Sequence, residues 1–190
     1  MNRTVILANG DFPRKGGAAW KLLVGATRVV ACDGAADAYR RRFRKWPTVI
    51  SGDLDSLSRL PSCVSRPPTL VKVADQDTND LEKAIAYCAK QGWRDPVIVG
   101  ATGKREDHTL GNVFRALAYG CAVVTDLGRF IPVCGQATLT VAKGAAVSVF
   151  ALSGCADDHR VTPAALRAVG HGLLEVVGVL IGNPDERRRT

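Results

Sequence analysis

No apolar run among the 190 residues approaches the ~18 needed to cross a bilayer, so no membrane partner is expected. The opening segment MNRTVILANGDF offers only a five-residue apolar stretch before Asn9 and Asp11. That is too short for a secretory signal, and a cytoplasmic location is expected. CxxC pairs are missing as well: the six cysteines, at 32, 63, 88, 121, 134 and 155, fall mostly in apolar segments. Buried free thiols are the expectation, ahead of a disulfide or zinc framework. Internal repeats and low-complexity segments are absent too. What is present, 46% apolar residues, 23% charged residues and 19 glycines, suits a compact fold with many turns, of one generous domain or two small ones. The 26 Lys and Arg outnumber 18 Asp and Glu, and the net charge of +8 invites a polyanion such as nucleic acid or a nucleotide. The basic residues cluster at 40–45 and 187–189, with no interleaved aromatics beyond Tyr39, Phe43 and Trp46. A solvated helix end and a frayed terminus explain them, and no nucleic-acid partner is expected.

Short β-branched runs alternate with helical patterns through most of the chain, the signature of an α/β protein with a mostly parallel sheet and flanking helices. Strands are predicted at 4–8, 28–32, 48–51, 70–73, 96–99 and 121–125. Leu81, Ala84, Ile85, Cys88 and Ala89 mark one buried helical stripe, with Asn79 and Glu82 spaced as a capping box and Gly92 as the stop. Leu110, Val113, Phe114, Leu117 and Ala118 mark a second stripe, also read as core, closed by Gly120. After residue 126 the texture becomes β-like in FIPV, ATLTVA and AVSVFAL, with a turn at Lys143-Gly144. A smaller β-rich domain is therefore expected at 127–190 after an α/β domain at 1–126. Within it, Thr162-Pro163 and AALRAV read as a capped helical turn, and LLEVVGVLIG as a possible strand.

Carboxylates gather where the predicted strands end: Asp11, Asp33, Asp53, Asp55, Asp75, Asp77, Asp80 and Asp107. In an open parallel sheet those ends converge on one crevice, where ligands bind. So many like charges need a cation or donors among them, and Mg²⁺ uses carboxylates together with substrate phosphates. The pattern predicts a Mg²⁺-phosphate site. Asp11, Asp37 and Asp75, taken singly, read as turn or helix-cap residues. In GDLDS, Gly52 permits a sharp turn, and Asp53 and Asp55 lie two apart, so in an extended segment they project to one side and can share a metal. DQDTND sets Asp77 and Asp80 at a helix mouth, where Thr78 and Asn79 can cap or bind an anion. GATGKREDHTLGN follows a strand; Gly100 and Gly103 allow a tight loop whose amides approach phosphate. It is no Walker loop, because two residues separate its glycines and Arg105 follows Lys104. Arg105 can grip phosphate bidentately, with Asp107 orienting it or accepting a proton, and an exposed ion pair is the plain alternative. His108 reads equally as a helix-start cap or a chemical group.

CDGAAD, SGDLDS, DQDTNDLEKA and GATGKREDHTLGN, in this order and spacing, resemble the thiamine pyrophosphokinase family over roughly residues 4–132. The resemblance implies an α/β N-terminal domain, a β-rich C-terminal domain, a homodimer, and Mg²⁺-dependent transfer of pyrophosphate from ATP to thiamine. It puts metal ligands at Asp53 and Asp55, and nucleotide contacts at Asp33, Gly34, Gly52, Gln76, Asp77, Thr78, Asn79, Gly103, Lys104, His108 and Asn112. Catalytic roles fall on Asp80, Arg105 and Asp107. Lys104 stands where a second glycine is usual. The C-terminal domain is shorter than the resemblance implies and poor in aromatics, so weaker thiamine binding or a different acceptor is expected.

Overall fold

The computed structural model describes residues 3–54, 66–73, 78–133, 147–150 and 178–182, with side chains described as far as Ser148. In chain order the elements are β1 (Thr4–Leu7), α1 (Ala18–Val24), β2 (Arg28–Cys32), α2 (Ala35–Phe43), β3 (Val49–Gly52), β4 (Thr69–Lys72), α3 (Asp80–Lys90), β5 (Val97–Val99), α4 (Glu106–Ala118), β6 (Val123–Val124), β7 (Gly128–Ile131), β8 (Val147–Phe150) and β9 (Gly178–Gly182). The described strands form a single sheet in the order β4-β3-β2-β1-β5-β6-β7-β9-β8. All pairs from β4 across to β6 are parallel. The pairs from β6 to β8 are antiparallel. Expected and observed strands agree to within a residue or two, apart from the last parallel one, which shrinks to two residues.

The period-two alternation of the strands decides which helix covers which face. Val5 and Leu7 of β1, Val29 and Ala31 of β2, and Ile50 of β3 pack with Ala19, Leu23, Ala35 and Tyr39 of α1 and α2. The intervening residues Ile6, Val30, Cys32 and Val49 pack on the other side with Leu81, Ala84, Ile85 and Cys88 of α3. Because both faces are covered, β1 and β3 are buried along their whole length and β2 and β5 beyond their first residue, as the near-continuous apolar runs of a parallel sheet require.

Helix α3 begins and ends where the sequence reading puts it. Asn79 Oδ1 accepts from the Glu82 amide at 2.9 Å, and Glu82 Oε2 accepts from the Asn79 amide at 3.1 Å, completing the capping box. At its end, Trp93 N donates to Cys88 O and Gly92 N to Ala89 O, with Gly92 at φ +68°. Helix α4 closes the same way, through Cys121 N to Ala116 O, Gly120 N to Leu117 O, and Gly120 at φ +69°. These are Schellman stops, which need a left-handed residue. The second stop explains the short β6: the backbone of Cys121 is committed to ending α4 and cannot start a strand.

The α4 stripe read as core is corrected by the structure. Leu110 is 58% and Phe114 42% exposed, Val113 is half-buried and Ala118 is exposed; of the five, Leu117 alone is buried, at 5%. The first turns of α4 lie over a polar crevice, with Asn112 Nδ2 donating to Ala101 O at 3.1 Å, and α4 packs against α3, β6 and β7. Ala89, in the last turn of α3, is exposed as well. Cys32, Cys88 and Cys121 are free and buried, as expected; Cys63, Cys134 and Cys155 lie outside the described residues. The basic cluster does end a helix, with Arg40, Arg41 and Arg42 in the last turn of α2. Residues β7, β8 and β9 fall in the expected β-like segments FIPV, AVSVFAL and LLEVVGVLIG, while ATLTVA, the Lys143-Gly144 turn and the helical turn after Thr162 lie outside the described residues.

Burial sets the cost of truncation along α4. Leu117→Ala should lose about 2 to 4 kcal/mol of unfolding free energy, and Leu110→Ala about 0.5 kcal/mol or less, in urea titrations of the two variants.

Candidate active site

The chain lays down β1 to β4 in one direction and then returns to place β5 on the other side of β1. The strand order therefore reverses between β1 and β5, the place where an open α/β sheet holds ligands at the carboxyl ends of its strands. A cavity of about 460 Å³ opens there. Its walls come from the β1 exit, the end of β2, the mouth of α3, and the loop and first turns of α4.

One wall is acidic. Asp80, the first residue of α3, lines it, and beside it stand Asp33, buried after β2, and Asp53, after β3. Gly52 stands among them at φ +156°, and a Cβ there would lie 2.9 Å from Asp33 Cβ and 3.3 Å from Asp80 Oδ1. Burial raises the pKa of Asp80 and the neighbouring Asp53 charge raises it further, while Lys83 opposes both. Lys83 sits one turn into α3 with its side chain only 6% exposed, and its Nζ lies 3.6 Å from Asp80 Oδ1. Cys32 closes the floor: burial and the adjoining Asp80 and Asp33 push its pKa far up, so it stays a thiol.

The opposite wall is cationic. The loops leaving β1 and β5 are zipped together beyond the strand ends, by Ala8 N to Val99 O, Gly10 N to Gly100 O and Asp11 N to Thr102 O, all within 2.9 Å. A Cβ on Gly10 would lie 2.3 Å from Thr102 O, and one on Gly103 2.2 Å from Asp11 Oδ2, so only glycines permit this approach. Lys104 adopts φ +61°, a left-handed backbone that costs a non-glycine residue roughly 1 to 2 kcal/mol. Its Nζ donates to Asn9 O at 2.9 Å and to Asn9 Oδ1 at 3.1 Å. Next to it Arg105 makes a two-pronged pair with Asp107, Nε to Oδ1 at 3.1 Å and Nη2 to Oδ2 at 2.5 Å, with both side chains about two-thirds exposed. The guanidinium holds the Asp107 carboxyl below its ordinary pKa.

Of the expected site residues, Asn79, Asp80, Gly103, Lys104, Arg105, Asp107, His108 and Asn112 line the cavity. Asp33, Gly34, Gly52, Asp53 and Thr78 stand beside that wall at the ends of β2 and β3 and before α3. Asp55, Asp75, Gln76 and Asp77 lie outside the described residues. His108 is not a cap: Arg105 occupies the N-cap position of α4, and His108 lies in the first turn. Asp37 lies in the first turn of α2, as its plain reading expects, and Asp11 packs against Gly103. Three contributors escaped the sequence reading. Asn9 packs against Gly34 and receives Lys104; Lys83 pairs with Asp80; and Arg115 pairs with Glu82 from the far end of α4. The i,i+3 spacing of Asp80 and Lys83 was a usable signal. Nothing local marked Asn9 or Arg115, whose partners lie 95 and 33 residues away.

A doubly wound sheet with a polar, two-signed cavity at its switch point defines a ligand-binding α/β protein. Residues 19–123 match the family model for the thiamin pyrophosphokinase catalytic domain, and the chain belongs to that family. It is 33% identical over 92 residues to thiamin pyrophosphokinase 1 of Caenorhabditis elegans, a match covering 44% of this chain and 37% of that relative. The probable thiamine pyrophosphokinase of Staphylococcus saprophyticus superimposes with a TM-score of 0.56 at 18% identity, covering 94% of this chain and 93% of the other. Thiamin pyrophosphokinase from Geobacillus thermodenitrificans gives a TM-score of 0.56 at 22% identity, with 77% and 66% covered. At these identities the solved structures establish the shared fold.

Asp53→Asn should lower the pKa of Asp80, by removing a like charge, in a carboxylate titration followed by NMR. A raised native pKa means that stability falls as pH climbs from the ordinary carboxylate value to the raised one, where the native state still holds the proton. Asp53→Asn should therefore flatten that part of the stability-pH curve.

Proposed function

We propose that this protein is a thiamine diphosphokinase, transferring pyrophosphate from ATP to the hydroxyl of thiamine to give thiamine diphosphate and AMP. The observation that carries the reading is the pairing of an acidic wall at Asp80 with a cationic wall at Lys104 and Arg105 across one cavity at the switch point. A metal-polyphosphate needs both signs, carboxylates for the cation and fixed donors for the phosphates. The family membership of residues 19–123 supports the same reading.

The residues present fit Mg²⁺. Among the described residues no group of three His, Cys, Asp or Glu side chains is placed to hold a metal ion by itself, while Asp53 and Asp80 are near enough to repel each other. Mg²⁺ suits such a site, since it takes one or two carboxylates and completes its shell with water and substrate phosphates. Asp53 and Asp55 would hold it, with Asp33, Asp77 and Asp80 around them. When bound, it neutralises charge on the polyphosphate.

In this reading the thiamine oxygen attacks the β-phosphorus, the bond from that phosphorus to the bridging α-oxygen breaks, and AMP leaves. Arg105 stabilises the charge that builds on the transferring group, and Gly103, Lys104, His108, Asn112, Gly34, Gly52, Gln76, Thr78 and Asn79 line the nucleotide path. Asn79 already uses its carbonyl in the capping box, so its part is to fix the α3 mouth. Asp107, ionised beside Arg105, is a weak base; it orients the guanidinium and takes the hydroxyl proton late, as the new bond forms. The reading extends to a cytoplasmic homodimer, with residues 1–126 as the catalytic domain and 127–190 shaping the acceptor side, and to a protein that binds neither nucleic acid nor a membrane. Among the described residues no helix is long and apolar enough to cross one.

Incubation with ATP, Mg²⁺ and thiamine should yield thiamine diphosphate and AMP in equal amounts by mass spectrometry; ADP as the product, or no turnover, overturns the reading. Arg105→Lys should lower kcat by about 10² or more, because an ammonium lacks the guanidinium fork. Full kcat in that variant would make Arg105 a surface ion-pair partner only.

A further inference from the structure

The least expected backbone in the site belongs to Lys104, a long side chain held at φ +61° on a loop already crowded by Gly103 against Asp11. Strain of this kind persists only where the surroundings enforce it, and it gathers at functional sites. Here the side chain that this backbone carries is held by Asn9. Its backbone oxygen and its Oδ1 both accept from Lys104 Nζ, and the other end of its amide rests against Gly34. Asn9 therefore uses both of its oxygens to aim one ammonium, and both residues stand on the cavity wall. Neither acceptor is a carboxylate. Two neutral acceptors fix the direction of the ammonium without cancelling its charge, and one of its three N–H donors remains beyond the two given to Asn9.

We propose that Asn9 is a positioning residue for phosphate binding that acts through Lys104: it holds the ammonium, uncancelled, toward the phosphate chain of a nucleotide in the cavity. The proposal deepens the nucleotide reading above and rests on it. It explains why a neutral amide sits opposite the lysine. An aspartate would hold the side chain more firmly and spend the charge that the phosphate needs.

The test uses the full chain and inorganic tripolyphosphate with Mg²⁺, so that neither thiamine nor turnover enters, followed by calorimetry. Asn9→Ala should weaken tripolyphosphate binding about tenfold in the parent protein and leave it nearly unchanged in a Lys104→Gly background. Asn9→Asp should leave the melting temperature unchanged or raised and yet weaken tripolyphosphate binding by at least as much, a combination that a purely structural role does not give. Adenosine affinity should not move in either variant. Equal losses with and without Lys104, retained binding in Asn9→Asp, or a matching loss for adenosine would each overturn the proposal. Coupling between Asn9 and Lys104 without thiamine turnover would leave this inference standing and remove the diphosphokinase reading; turnover without coupling would do the reverse.

Discussion

The close approach of two loops at the strand-order reversal is the contact on which the rest of the site depends. Parallel strands β1 and β5 are neighbours, and a doubly wound sheet ordinarily lets their exits part to opposite faces. In this chain the backbone pairing continues past both strands, and it can do so because Gly10 presents no side chain to the carbonyls of Gly100 and Thr102. Asn9 on one side of that seam and Lys104 and Arg105 on the other are thereby set at fixed separation. The cationic wall is a product of backbone geometry first and of side-chain chemistry second.

The acidic wall is assembled by a different device. Asp33, Asp53 and Asp80 belong to three separate elements, and they meet because β3 ends in a residue without a Cβ. Burial first, and the neighbouring Asp53 charge second, disfavour ionisation of Asp80, against the pull of Lys83. The protein carries that electrostatic tension at the ends of β2 and β3 and the mouth of α3. A positive charge placed nearby would relieve it, as Lys83 does in part.

How far the sequence could be read followed from the range of the interaction concerned. Strand positions, the α3 capping box and the glycine stops were legible, since each is written in residues a few places apart. The exposure of Leu110 and Phe114 was not: their spacing is that of any buried helical stripe, and their surroundings are set by a two-residue β6 and a polar crevice beneath the helix. In the site, Asp80, Lys104, Arg105 and Asp107 could be picked out because carboxylates and glycines cluster around them. Asn9 could not, because an asparagine before a glycine reads as a plain turn, and only the fold brings Lys104 to it.

Glu82 joins the two walls in a way that bears on how variants of this protein would be interpreted. Its carboxylate caps the α3 mouth through Asn79 N and receives both Arg115 Nη1 and Tyr119 OH from the far end of α4. The helix that carries Asp80 is thus tied to the helix that carries Asp107 by a group that touches no ligand. Loss of Arg115 would cut one of these ties without altering any residue that lines the cavity. A substitution there would accordingly act on the placement of the two helices from a residue outside the cavity.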